Sequence, residues 1–298
     1  MFKLISDGGC DFSKEETLAY DISIAPFYIT FDGETYLKEG IDISKDEYYQ
    51  RLRNEKNLFP KTAQPNPQDY CDLYREFLEK GQDIVSLTIS SKLSGTYNSA
   101  TLAAQMMSEE FPDRKIIVID SLNVAIGQGL ILRELIKMRE LGYTIDKAAA
   151  LALKIVKTTK IYFTLDSLEY LKRGGRVGPT TALVGGILGL RPILHLVDGS
   201  VEQLDSVRGK GRVLKLIEEG IVAALSGEQD NINLSVAHIL SEDEAIDLKK
   251  MLETSLNMKI INPVNEIGAT VGTHAGPGAL AIAYCKKFEC FLNEEEAV

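Results

Sequence analysis

Short runs of apolar and β-branched residues alternate with stretches of helical period through the first half of the chain. Residues 2–6, 24–31, 84–89 and 115–120 carry the compact apolar runs expected of buried strands, and amphipathic stretches of helical period separate them. This alternation predicts βαβ units and a mostly parallel sheet flanked by helices. Helix ends are marked by chemistry as well as by period. Ser44-Lys45-Asp46-Glu47 has the spacing of a capping box, Asn66-Pro67 opens a second helix, and Gly81 and Gly142 stand just past two helix ends.

Near residue 160 the alternation breaks. Two successive helices are expected at about 124–141 and 145–159, and a new strand series follows at 161–165, 191–197, 200–207, 232–238 and 259–264. Asp198-Gly199 is a two-residue hairpin turn, so the second sheet is at least partly antiparallel. The expected architecture is α/β in two domains. Residues 1–160 form one with a mostly parallel sheet and 161–298 the other with a mixed sheet, with a ligand cleft between them. Only the acidic tail from Asn293 is expected to fray.

Composition narrows the function. With 33 Lys plus Arg against 43 Asp plus Glu, the net charge of −10 excludes a sequence-independent nucleic-acid binder, which needs cationic surface to displace counterions. Cys10, Cys71, Cys285 and Cys290 form no CxxC pair, and His195, His238 and His274 are too scattered for a metal site. The N-terminus lacks the basic and apolar regions of a signal peptide, so a cytoplasmic protein is expected. Residues 177–190 are uncharged, but they are broken by glycines and fall short of the about 20 residues a bilayer needs. No transmembrane segment is expected.

Three segments carry candidate chemistry. The densest is Ser90-Ser91-Lys92-Leu93-Ser94-Gly95-Thr96-Tyr97-Asn98-Ser99, between a predicted strand and a helix. Strand ends of this kind open onto ligand clefts, and a helix start with the hydroxyls of Ser94 and Thr96 is a seat for a carboxylate or phosphate. The same residues can also serve simply as helix caps. A second segment, Lys61-Thr62-Ala63-Gln64-Pro65-Asn66-Pro67, reads as a polar loop stiffened by two prolines. The third, Gly272-Thr273-His274-Ala275-Gly276-Pro277-Gly278, resembles a loop that opens a helix and lets backbone approach a ligand, with His274 turned to solvent or ligand. Lys172 and Arg173 suit the C-terminal end of a helix that Gly174, at positive φ, would close. Arg176 and Arg208 remain open between an acidic partner and bare solvent. No Gly-x-Ser-x-Gly elbow, paired-carboxylate motif or HExxH signature is present, so no catalytic residue is assigned; Ser94 with His274 is the one pair that could imitate a serine hydrolase.

The motifs ISSKLSGTYNSA, KTAQP, LEYLKRGGRVG, LRPIL and GTHAGPGAL, in their spacing, resemble the DegV family of bacterial fatty-acid-binding proteins over nearly the whole chain. The resemblance implies a two-domain α/β carrier that buries a long-chain fatty acid such as palmitate, needs no cofactor, acts as a monomer and has no catalysis of its own. It implies that Thr62 and Ser94 hold the carboxylate, with Gly95 and Thr96 beside them. A separate fatty-acid kinase would phosphorylate the bound acid, with His274, Arg176 and Arg208 at the head-group end or on the kinase-docking face. The apolar, glycine-broken residues 177–190 are a candidate for part of the tail pocket or its gate, or else an ordinary buried helix. The sequence departs from the family pattern where Gly8-Gly9-Cys10 replaces a serine-rich turn, and where Ala63 and Asn66 stand at common serine positions.

Overall fold

A computed structural model describes residues 1–55, 58–177 and 190–292. The first half runs β1 (Lys3–Asp7), α1 (Lys14–Ala19), β2 (Ile22–Ala25), β3 (Tyr28–Thr30), β4 (Leu37–Lys38), α2 (Lys45–Asn54), β5 (Lys61–Ala63), α3 (Pro67–Leu78), β6 (Ile84–Thr88), α4 (Thr96–Glu110) and β7 (Ile116–Asp120). Two helices follow, α5 (Ile126–Glu140) and α6 (Ile145–Thr158). The second half runs β8 (Lys160–Thr164), α7 (Glu169–Arg173), β9 (Leu190–Val197), β10 (Ser200–Arg208), α8 (Lys210–Leu225), β11 (Ile232–His238), α9 (Glu242–Leu256), β12 (Asn265–Glu266), α10 (Ala269–Ala275) and β13 (Leu280–Lys286).

These elements make a parallel sheet in the order β2-β1-β6-β7, a mixed sheet in the order β10-β9-β8-β13-β11-β12 and a small antiparallel sheet β4-β3-β5. The mostly parallel first sheet and the mixed second sheet agree with the expected α/β class. Capping explains the helix starts: Ser44 and Glu47 bond each other's backbone at α2, and Asn66 and Asp69 do the same at α3, with Pro67 in the first turn. Asp198 and Gly199 both take positive φ in the β9–β10 turn, as a type I′ hairpin requires. Helix α5 is buried nearly all round, polar Gln128 and Glu134 included, because it packs against strands of both large sheets, and one apolar core runs from β1 and β6 through α5 and α6 to β8 and β13.

The structure corrects several sequence expectations. The single strand expected over 24–31 is two, because Pro26 removes a ladder donor and the chain passes there from the parallel sheet to the small one. The strand expected at 259–264 is not formed; Pro263 interrupts it, and only Asn265–Glu266 pairs with β11. The Gly272–Gly278 motif ends α10 and leads into β13 instead of opening a helix. Gly174 has φ −72°, and it is Gly175 that takes the left-handed conformation. Residues 178–189 of the candidate tail segment lie outside the described residues. His195 and His238 are packing residues: the first stacks on Tyr162 at 5.9 Å, and the second is buried, its Nδ1 accepting from Ser241 N at 3.3 Å. Among the described residues no helix is long and apolar enough to cross a membrane, and no group of three or more His, Cys, Asp or Glu is arranged to hold a metal ion.

Candidate functional site

Thr62 lies on a strand. β5 pairs antiparallel with β3, placing Ile29 opposite Thr62, so sheet hydrogen bonds hold the backbone that the two prolines were expected to stiffen. Its hydroxyl oxygen is 2.8 Å from His274 Nε2. A three-residue polar strand leaves no hydrophobic period to read, which is why it resembles a loop in sequence.

Ser94 comes from the turn after β6, wound by bonds from Leu93 N and Ser94 N to Ser90 O (3.0 and 3.1 Å). Helix α4 starts later than its hydroxyls suggest. Gly95 is its N-cap, no side chain caps it, and Ser94 Oγ instead lies 2.8 Å from Thr96 Oγ1. Thr96 is thereby buried as a support for Ser94. At Gly95 an added Cβ would stand 2.5 Å from Gln64 Oε1; the glycine admits Gln64, whose amide donates to Ser99 Oγ at 3.1 Å. Gln64 therefore joins the segment after Thr62 to the start of α4.

The same turn is fastened to the second half of the chain. Ser90 Oγ donates to Gly199 O at 2.8 Å, and a Cβ at Gly199 would come within 2.3 Å of that hydroxyl. The β9–β10 hairpin thus docks on the Ser90 turn.

His274, in the last turn of α10, completes the cluster. Besides its bond to Thr62, its Nδ1 is buried with no hydrogen-bond partner. Burial, and secondarily the Arg176 cation, push its pKa down to about 4, so the ring is neutral at pH 7. The ring needs Gly174: a Cβ there would be 2.1 Å from Nδ1. Arg176 donates from Nε to Leu93 O at 3.0 Å and from Nη1 to Gly174 O. Burial lowers its pKa too, and among the described residues no carboxylate pairs with it.

Thr62, Ser94, His274 and Arg176 all line one cavity of about 780 Å³, its open mouth included. The remaining walls are almost wholly apolar, drawn from β8, α7, β13 and the start of α5 and including Phe27, Phe163, Leu171 and Val271. Two hydroxyls, a neutral imidazole and an uncompensated guanidinium in an apolar enclosure suit an amphiphile with an anionic head. Gly95 and Thr96 support the site from outside the cavity wall, and Arg208 lies apart from it, exposed at the end of β10 opposite Leu190. The pairing of His274 with Thr62 leaves the Ser94–His274 dyad unformed, and the unpartnered Nδ1 has no carboxylate to orient it as a triad would. Phe27, Leu93, Thr270 and Val271 were not anticipated as wall residues; Leu93 stands within the Ser90–Ser99 motif, and Thr270 and Val271 just precede the third.

A family model described as "Uncharacterised protein, DegV family" matches residues 1–287. A DegV domain-containing protein of Clostridium perfringens is 34% identical over 285 residues, which is 96% of this chain and 99% of that protein. Among solved structures, a stearic acid-binding protein from Eubacterium ventriosum matches with a TM-score of 0.92 at 34% identity, covering 97% of this chain and 100% of its own. A DegV family protein from Thermus thermophilus, described by its fatty acid binding, matches with a TM-score of 0.87 at 30% identity over 96% of this chain and 99% of its own.

Proposed function

The chain belongs to the DegV family, and on that footing we propose that it is a carrier of long-chain fatty acids. The acyl chain lies in the apolar cavity, and the carboxylate is held by the hydroxyls of Thr62 and Ser94 beside Arg176. The observation that carries this reading is the pole itself: a half-buried guanidinium without a carboxylate partner among the described residues, next to two hydroxyls, in an otherwise apolar enclosure. A carboxylate placed there receives O–H and N–H donors and neutralises Arg176. In the tautomer protonated at Nε2, His274 donates to Thr62 Oγ1, 2.8 Å away, and leaves the Thr62 proton free for the ligand.

Affinity and orientation divide between the two parts. At about 0.8 kcal/mol per buried CH₂, a ~16-carbon chain gains roughly 11 kcal/mol, against association costs of at least ~4 kcal/mol. The pole then serves to orient the head and to avoid a desolvated, unpaired carboxylate. The proposed outcome is presentation of the carboxylate to a separate ATP-dependent kinase, with exposed Arg208 on the docking face and without catalysis by this chain.

Native mass spectrometry of freshly purified protein tests the reading. A non-covalent adduct of ~250–280 Da, the mass of a ~16–18-carbon acid, is expected. A ligand-free mass that persists after incubation with palmitate would overturn it. Stoichiometric labelling of Ser94 by a fluorophosphonate would overturn the non-catalytic part alone.

A further inference from the structure

Helix α10 has seven residues, and two turns of helix are unstable alone. Its N-cap, Gly268, offers no side chain to the first N–H groups. Acceptors come instead from far along the chain. Gly268 N donates to Asp11 Oδ1 at 2.9 Å, and Ala269 N and Thr270 N both donate to the Glu39 carboxylate. Glycine at 268 admits both acids, since a Cβ there would be 2.9 Å from Glu39 Oε1 and 3.3 Å from Asp11 Oδ1. Helix α2 grips the flank. Tyr49 OH donates to Ile267 O at 2.8 Å and fills the space Gly272 leaves, where a Cβ would be 2.4 Å from that hydroxyl, while Tyr48 OH is 2.9 Å from Thr273 Oγ1.

None of these four side chains lines the cavity. They fix a helix whose far end carries His274, and Glu39 alone takes two of its backbone donors. We infer that Glu39 is a positioning residue of the head-group site: by holding the start of α10 it sets where the His274 imidazole meets Thr62. The link to fatty-acid retention rests on the function proposed above; the link to His274 does not.

Three histidines give three imidazole Cε1–H resonances, and His274→Gln assigns the relevant one. In folded Glu39→Ala the His274 resonance should move while those of His195 and His238 stay. Palmitate release should quicken about tenfold, the scale of one misdirected hydrogen bond to a charged group. Glu39→Gln retains an acceptor oxygen and should return the His274 resonance to its wild-type position and palmitate release to within about threefold of wild type. A folded Glu39→Ala protein with an unmoved His274 resonance and wild-type release would overturn the inference. Should Glu39→Ala not fold, Glu39→Asp, one methylene too short to reach, decides by the same two readouts. If the wild-type protein binds no fatty acid, the functional proposal fails and the His274 resonance still decides the role of Glu39.

Discussion

Helices α4 and α10 both begin beside the cavity, and they begin in opposite ways. At α4 no side chain caps the first turn, and Ser94 and Thr96 bond to each other. At α10 two carboxylates already occupy the first N–H groups. A helix start carries partial positive charge. At α4 no side chain takes that charge, whereas at α10 Glu39 and Asp11 do, and α10 meets the site from its other end through His274. Two glycine-containing motifs that look alike as anion seats therefore differ in structure: one helix start has no side-chain cap, and the other is closed by two acids.

The largest effect expected from this contrast is at the open start. Ser94→Asp puts a like charge where the carboxylate should sit and is expected to weaken acid binding at least about 100-fold, read by displacement of a fluorescent acyl probe. Unchanged affinity would remove the start of α4 from the head-group site. Next come two glycines. Gly268→Ala forces a methyl against acids held by hydrogen bonds and should cost about 1–3 kcal/mol in urea unfolding. Gly95→Ala meets the end of the Gln64 side chain, held by one hydrogen bond to Ser99 rather than by backbone donors, and should cost less than Gly268→Ala, about 1 kcal/mol. Equal costs would erase the distinction between a closed start and an open one. Removing the hydroxyls, Thr62→Ala with Ser94→Ala, should lose about 1 kcal/mol each, a drop in acid affinity between a few-fold and about 50-fold that calorimetry would measure.

A smaller effect concerns pH. Burial raises Asp11 from 3.8 to about 7, with the Glu39 charge adding to the rise and the Gly268 N–H and Lys45 opposing it. Between about pH 4 and 7 the folded chain therefore holds a proton that the unfolded chain has lost, and stability falls as pH rises through that window. Asp7, raised to about 6, acts in the same direction, whereas His274, lowered to about 4, acts in the opposite one up to about pH 6.5. Asp11→Asn should flatten the decline of the urea midpoint between pH 5 and 7; an unaltered slope would mean that Asp11 is ionised without penalty at the closed start. The smallest effect is at Arg208→Ala, expected to leave acid affinity within about twofold because the side chain lies outside the cavity.

Much of this molecule is legible in its residues, for identifiable reasons. Helix starts at Ser44 and Asn66 and the hairpin at Asp198-Gly199 are local chemistry, and the structure has them where the pattern puts them. Strand β13 escaped notice because Leu280–Lys286, buried between β8 and β11, is an almost unbroken apolar run without strand period. Thr62, Ser94, His274 and Arg176 could be nominated from motifs, yet their meeting depends on contacts such as Gln64 with Ser99 and Gly174 with His274 that no spacing encodes. Glu39 gave no sign, since it acts on a helix 230 positions away.

The place of β13 also has a consequence for synthesis. The strand at the middle of the six-stranded sheet, and His274 just before it, leave the ribosome long after Thr62 does. His274 follows Thr62 by 212 positions, which at 5–20 residues per second is roughly ten to forty seconds of translation. For most of that interval the nascent chain has both hydroxyls but neither the ring that meets Thr62 nor the β13 wall of the cavity. If the chain carries a fatty acid as proposed, its cavity is complete only once β13 has been made, and a chain stalled before that point lacks this wall.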